Sequence, residues 1–143
     1  MPAFLLTSVN ILSYNACKEN TCMRIVLAGN QTEELNRFSK SISQVLGQCE
    51  FICFTDPMLS AKYIWHHPVD IVFAEERMRP VSGIDLLRVI RKEKPDMPVV
   101  IIAEDDCMQQ QAAELIADGY WKRPVRREQL ESISKIIENT DWQ

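Results

Sequence analysis

Val69-Asp70-Ile71-Val72-Phe73-Ala74-Glu75-Glu76-Arg77-Met78-Arg79-Pro80-Val81-Ser82-Gly83 is the stretch that decides the fold of this 143-residue chain. It opens as a short, nearly unbroken apolar run, the pattern of a strand buried on both faces of a parallel sheet. The run stops at two carboxylates. Pro80 and Gly83 then lead into an amphipathic segment, Ile84 to Lys94. In an open α/β sheet, ligands bind in the crevice beyond the carboxyl ends of the strands. Glu75 stands at that edge and is the first candidate functional residue.

Outward from this stretch, strand and helix patterns alternate five times from Met23 onward. Arg24 to Ala28 is a short apolar strand, and Asn30 is expected to cap the next helix with Glu33 at the capping-box position. Leu35, Phe38, Ile42, Val45 and Leu46 follow at helical spacing, and Gly47 ends that helix. Glu50 to Phe54 is the second strand, and Asp56-Pro57 reads as a cap plus first-turn proline. The second helix passes through Leu59, Tyr63 and Ile64 and closes at His66-His67-Pro68.

Ser82 is expected to cap the third helix, with Asp85 at its third position and Ile84, Leu87 and Ile90 facing inward. Pro95 and Pro98 mark its end. Val99 to Ile102 is a fourth buried strand, ending at Ala103-Glu104-Asp105-Asp106. A helix is predicted from about Cys107 to Ala117, with Met108, Ala112, Leu115 and Ile116 inward. Gly119 to Lys122 is a brief fifth strand. Arg123-Pro124 breaks it, and a last helix is predicted from about Arg126 to Asn139 on Leu130, Ile133, Ile136 and Ile137. Five such units imply a parallel sheet covered by helices on both faces, with right-handed crossovers.

Composition bounds the function. The chain is 46% hydrophobic and 25% charged, with a net charge of −4 and a pI of about 5.2. Such a balance argues against a nucleic-acid-binding surface, which needs a basic face. The local cluster of Lys122, Arg123, Arg126 and Arg127 reads as a solvated helix start. Ala28-Gly29-Asn30-Gln31 is no Gly-rich phosphate loop, so dinucleotide and P-loop readings fail. The moderately apolar run from Ala3 to Tyr14 lacks a basic flank and is too short to span a membrane. Residues 1–22 read as an N-terminal extension and 23–143 as the domain proper.

The cysteines and histidines give little chemistry. Five cysteines follow no zinc spacing. Cys49 and Cys53 read as small core hydrophobes. Cys107 lies near an expected helix start, a place that can lower a thiol pKa. His66 and His67 are adjacent and would diverge on any regular element, so a shared metal is not expected. A reducing cytoplasm fits this cysteine usage.

In combination, the strand ending in an acid, then Met78, Pro80 and Gly83, Pro98 before the fourth strand, and Tyr120-Trp121-Lys122-Arg123-Pro124 resemble the receiver domain of two-component response regulators. The resemblance runs from about Met23 to Asp141. It implies a flavodoxin-like doubly wound α/β/α sandwich, a five-stranded parallel sheet in the order 2-1-3-4-5. In that family an acidic pair and an aspartate hold Mg²⁺, the aspartate accepts a phosphoryl group, and a hydroxyl and a lysine contact it. Carried onto this sequence, the acidic pair falls on Gly29 and Asn30, and the acceptor on Glu75. The hydroxyl position is Ala103 and the lysine position is Arg123. Every one of these positions departs from the pattern.

The departures have physical consequences. Mg²⁺ wants hard oxygen ligands and usually one or two carboxylates. Gly29 offers no side chain and Asn30 only a neutral carbonyl, and Glu76, Glu104, Asp105 and Asp106 are expected to face outward. Glutamate is a methylene longer than aspartate, so a geometry set for in-line attack on the shorter chain is lost. Ala103 has no hydroxyl, and a planar guanidinium does not replace a flexible ammonium. Arg123 is instead suited to a two-point pair with a carboxylate. The expectation is that Glu75 and Arg123 pair directly and fill the crevice, with no catalytic residue, no metal and no cofactor.

The resemblance further implies a switch aromatic at Tyr120 and a cis bond before Pro124. It implies a protein-partner or homodimer surface on the fourth helix, fifth strand and fifth helix, rimmed by Gln109, Gln110, Gln111, Lys122, Arg126 and Arg127. The leading expectation is a phosphorylation-independent, non-enzymatic signalling module, cytoplasmic, without direct contact to nucleic acid or membrane. Glu75 either imitates the phosphorylated state, with about −1 charge against −1.5 to −2 for a phosphoryl group, or is inert scaffolding. Nothing after Asp141 could be an output domain, so a DNA-binding part is expected to lie outside this chain. Three alternatives stay open. One is a working phosphoacceptor regulating a DNA-binding output, with Glu104 or Asp105 completing a metal site. The others are a redox sensor through Cys107 or the Cys17 and Cys22 pair, and a small α/β enzyme, for which no nucleophile–base pair presents itself.

Overall fold

A computed structural model describes residues 23–141. The expected extension, residues 1–22, lies outside the described residues, as do Cys17 and Cys22. Five strands form one parallel sheet in the order β2-β1-β3-β4-β5. They are β1 (Met23–Ala28), β2 (Cys49–Phe54), β3 (Ile71–Glu75), β4 (Val99–Ala103) and β5 (Gly119–Lys122). The helices between and after them are α1 (Thr32–Leu46), α2 (Pro57–His66), α3 (Gly83–Glu93), α4 (Gln109–Glu114), α5 (Arg127–Glu131) and α6 (Ile133–Asp141). The alternating pattern predicts this parallel sheet with helices on both faces, and the strand order is the flavodoxin-like one that the resemblance implies.

The central strands are buried on both faces because alternate side chains feed two separate cores. Val72 and Ala74 of β3 pack with Ile64, Ile84, Leu87 and Ile90 on one side. Ile71 and Phe73 pack with Leu35, Ile42, Leu130 and Ile133 on the other. Phe73 meets Phe38 edge-on, with ring centroids 5.2 Å apart, and Trp121 at 5.5 Å. Register puts Ala28 opposite Ala74 and Glu75 opposite Ile102, so the ends of β1, β3 and β4 share one edge.

Several helix ends follow the local signals. Asp56 caps α2 by accepting from the Met58 amide at 2.9 Å, and Ser82 caps α3 by accepting from the Asp85 amide at 3.1 Å. Gly47 closes α1 at φ 86, a conformation that favours glycine. His67 stacks on Tyr63 at 4.0 Å, beyond the end of α2.

Three boundaries differ from expectation. The residue capping α1 is Gln31, without a side-chain bond, and not Asn30. Asn30 is drawn away because its side chain donates to the Arg77 carbonyl at 2.9 Å. The fourth helix starts at Gln109, not Cys107, since the Cys107 amide is taken by Asp105 Oδ1 at 3.0 Å and the Met108 amide by the Tyr120 hydroxyl at 3.3 Å. It stops at Glu114, and Ile116 lies beyond it at φ 59, 73% exposed rather than inward. Arg91 holds this turn by donating to the carbonyls of Leu115 and Ile116 at 3.0 and 2.7 Å. The last helix is divided at Ser132, whose hydroxyl donates to the Gln129 carbonyl at 2.6 Å, a local bond that competes with regular helix.

Candidate functional site

Glu75 ends β3 and is only 8% exposed. Its Oε1 accepts from the backbone amide of Asn30 at 2.8 Å, and its Oε2 accepts from Arg123 Nη2. Gly29 makes room for the longer acid, because a Cβ there would stand 2.7 Å from Glu75 Oε1. A side chain at position 29 and the observed Glu75 rotamer exclude one another.

Arg123 follows β5 and is positioned by its amide, which donates to the Ala103 carbonyl at 2.9 Å. It meets three carboxylates. Besides Glu75, its Nη1 donates to Glu104 Oε2 at 2.6 Å, and its Nη2 lies 3.6 Å from Glu34 Oε1. Burial works against its charge, but the hydrogen bond to Glu104 and the charge of Glu75 outweigh that, and its pKa is raised. Glu104 therefore does not face away from the site as expected: the guanidinium fork draws it in. The Arg123–Pro124 bond is cis, as is Arg79–Pro80.

The other loop acids are also paired. Asp105 accepts from Arg77 Nη2, and Asp106 lies 3.1 Å from Lys122 Nζ. Glu76, expected outward, has a side chain only 12% exposed beside Arg77 at 3.6 Å. The Tyr120 hydroxyl donates to the Asp105 carbonyl at 2.8 Å, so half-buried Tyr120 ties β5 to the loop after β4. With Lys122 and Arg123 paired to acids and Arg127 bonded to Glu131 at 3.0 Å, most of the basic cluster is neutralised.

The Glu75–Arg123 pair does not fill the crevice. Behind it, between α1 and the start of α5, lies a cavity of about 350 Å³ whose walls include Leu27, Phe38, Phe73 and Leu130. Glu34, Arg37, Glu75 and Arg123 also line it.

At this edge the donor set does not suit magnesium. Gly29 has no side-chain ligand, Asn30 offers only a neutral amide oxygen, and both oxygens of Glu75 are already engaged by an amide and a guanidinium. The cation beside Glu75 is covalently part of the chain.

All three described thiols have raised pKa values. Burial pushes Cys53 up to about 12, and burial with the charge of Asp70 pushes Cys49 up to about 11. Cys107 is exposed, yet its pKa is raised, first by its hydrogen bond to Asp105 and then by that residue's charge. The expectation that a helix start would lower it fails, because α4 begins two residues later and a carboxylate sits beside the sulfur.

Sequence reasoning missed Glu34, Arg77 and the side chain of Asn30 as members of this network. Only the Glu33-Glu34 pair gave a signal, as acids in the first turn of a helix that leaves the end of β1.

An α/β domain with this sheet order and an acid at the end of its third strand defines the class. The chain matches the response regulator receiver domain model over residues 26–135, and it belongs to that family of two-component signalling modules. Solved structures agree on the fold. A CheY-like receiver domain protein from Methanospirillum hungatei JF-1 superposes with a TM-score of 0.77 at 16% identity, covering 85% of this chain and 98% of that one. A receiver domain protein from Clostridium thermocellum gives 0.75 at 21% identity, covering 84% and 98%. The receiver domain of a sensor histidine kinase from Pseudomonas aeruginosa PAO1, with a magnesium ion coordinated in its active site cleft, gives 0.73 at 12% identity, covering 82% and 99%. No curated protein sequence matches the chain. Among the described residues no helix is long and apolar enough to cross a membrane.

Proposed function

We propose that this receiver domain signals through protein contacts without accepting a phosphoryl group and without catalysis. The observation that carries the reading is the pairing of Glu75 with Arg123. Phosphoryl transfer depends on a metal that neutralises developing charge and on a nucleophile free to attack. Here one Glu75 oxygen is held by the Asn30 amide and the other by Arg123. Ala103 supplies no hydroxyl to contact a bound phosphoryl group.

Under this reading Arg123 is a resident counter-cation, and magnesium is not needed. The loop after β4 is held in one arrangement by its pairs with Arg77, Lys122 and Arg123 and by Tyr120. That favours a fixed surface over a switched one. The partner face is assigned to α4, β5 and α5, where Asp106, Gln109, Lys122, Arg126 and Gln129 surround a shallow depression. Its mixed polar character suits a protein surface better than nucleic acid.

The test is intact-mass analysis after incubation with acetyl phosphate, with and without Mg²⁺. Absence of an adduct in both arms is the expected result. A Mg²⁺-dependent, acid-labile phosphoryl adduct on the chain overturns the reading.

A further inference from the structure

α2 turns three large apolar side chains away from the core. Pro57, Ser60, Ala61 and Ile64 face inward and are buried, whereas Met58, Leu59 and Trp65 are 46%, 37% and 48% exposed. Met58, Lys62 and Trp65 fall at i, i+4 and i+7, so they share one face, with Leu59 and His66 beside them. Met58 and Trp65 stand about 10 Å apart along the helix axis. A single exposed apolar residue is ordinary. Here three of the five exposed positions of one helix are large and apolar, and a patch of that kind marks a contact surface.

Tether and charge decide the occupant. α2 packs on β1, β2 and α3, and its end lies beside the start of β1. Arg24 Nη1 donates to the Pro68 carbonyl at 3.3 Å, and the Asp70 amide donates to the Arg24 carbonyl at 2.8 Å. The chain that precedes Met23 therefore joins the domain close to the Trp65 end of the patch. Residues 1–17 include Phe4, Leu5, Leu6, Val9, Ile11 and Leu12 and contain no Asp, Glu, Lys, Arg or His. The eight residues from Asn15 to Cys22 can reach up to about 28 Å when extended, more than the length of the face. A symmetric contact with a second copy would instead bring Lys62 toward its own counterpart. A segment tethered this closely also has an effective concentration of about millimolar, which no free partner of ordinary abundance matches.

We propose that residues 4–12 of this chain pack across the outward face of α2 and cover Met58, Leu59 and Trp65. The segment thereby removes α2 from the surface open to protein partners. The contact involves neither Glu75 nor Arg123, so it goes beyond the signalling role proposed above and does not depend on whether the chain accepts phosphate. The test below contains no phosphodonor, and the two ideas fail separately.

The experiment is nuclear Overhauser spectroscopy on the isotope-labelled full chain. Cross-peaks are expected from the Trp65 indole ring to the methyl groups of Leu5, Leu6, Val9, Ile11 or Leu12, with relative intensities unchanged on dilution. Leu6→Asp combined with Ile11→Asp should abolish these cross-peaks and shift the amides of residues 58–66, while those of β3 and β4 stay in place. Trp65→Gln, a change at an exposed position, should in turn shift the amides of residues 4–12. The proposal is overturned by the absence of cross-peaks between that segment and Trp65, or by α2 amides that do not move in the double variant. Cross-peaks found only between differently labelled copies in a mixed sample overturn it too, since the occupant would then be a second molecule.

Discussion

Arg123→Met tests the central pair energetically. It removes the guanidinium and keeps an apolar stem. Glu75, 8% exposed, would retain one hydrogen bond, from the Asn30 amide at 2.8 Å. Breaking a fully buried pair by removing one partner costs about 3–5 kcal/mol. The Arg123 side chain is 34% exposed, so water reaches part of the orphaned site, and the outer contacts to Glu34 and Glu104 contribute little. A loss of about 2 kcal/mol is expected, a fall of about 8 °C in Tm for a domain of this size. Glu75→Gln, which keeps the shape and removes the charge, should cost about 1 kcal/mol. The double variant should lose less than the sum by about 1–1.5 kcal/mol, because no unpaired charge then remains. Urea unfolding followed by far-UV circular dichroism reads all four corners of the cycle. Additivity within about 0.5 kcal/mol, or an Arg123→Met variant as stable as the parent, would refute the reasoning.

Other outcomes follow from the same geometry. Gly29→Ala should destabilise by about 1–3 kcal/mol, since its Cβ would stand 2.7 Å from Glu75 Oε1; Gly29→Ala combined with Glu75→Ala should recover much of that loss in the same urea assay. Tyr120→Phe removes the bond to the Asp105 carbonyl, at about 1 kcal/mol, and hydrogen exchange should rise at Met108 more than in β3. Cys49 and Cys53 have thiol pKa values raised from 9.0 to about 11 and about 12. The unfolded chain therefore ionises these thiols first. Their contribution to stability is intact below pH 9 and falls as pH rises toward those folded values, measurable by urea midpoints at rising pH. Peptide mapping after brief maleimide treatment should find Cys107 labelled well before Cys49 or Cys53, since exposure outweighs its raised pKa.

The sheet was legible because its signal is dense. Five short apolar runs, each ended by a turn or cap residue, left little freedom in strand number, and the strand order followed from the resemblance to receiver domains. Glu75 and Arg123 could be placed together because both stand where a strand ends, and all parallel strands end on one edge. What stayed hidden depends on side-chain choices among several polar partners. Asn30 could cap a helix or bond Arg77, and a local propensity argument favours the cap, whereas the loop carbonyl wins in the fold. Glu104 could face water, but Arg123 offers a second fork nitrogen that draws it in. The end of α4 was misplaced because Ile116 completes a helical apolar pattern on paper. In the fold Ile116 takes a positive φ, and the amides of Ile116 and Ala117 bond back to the carbonyls of Ala113 and Ala112 and close the helix early. The cavity had no sequence signal, since a void arises from how α1 and α5 seat on the sheet.

The most direct measurement is a comparison of amide spectra of the full chain alone, with Mg²⁺, and with Mg²⁺ plus acetyl phosphate or beryllofluoride. If Arg123 already occupies the place of the metal, the resonances of Asn30, Glu75, Glu104, Tyr120 and Arg123 should be unchanged across the series. Saturable shifts at those residues, dependent on Mg²⁺ and extending into α4 and β5, would contradict a fixed, phosphorylation-independent receiver and establish a working switch.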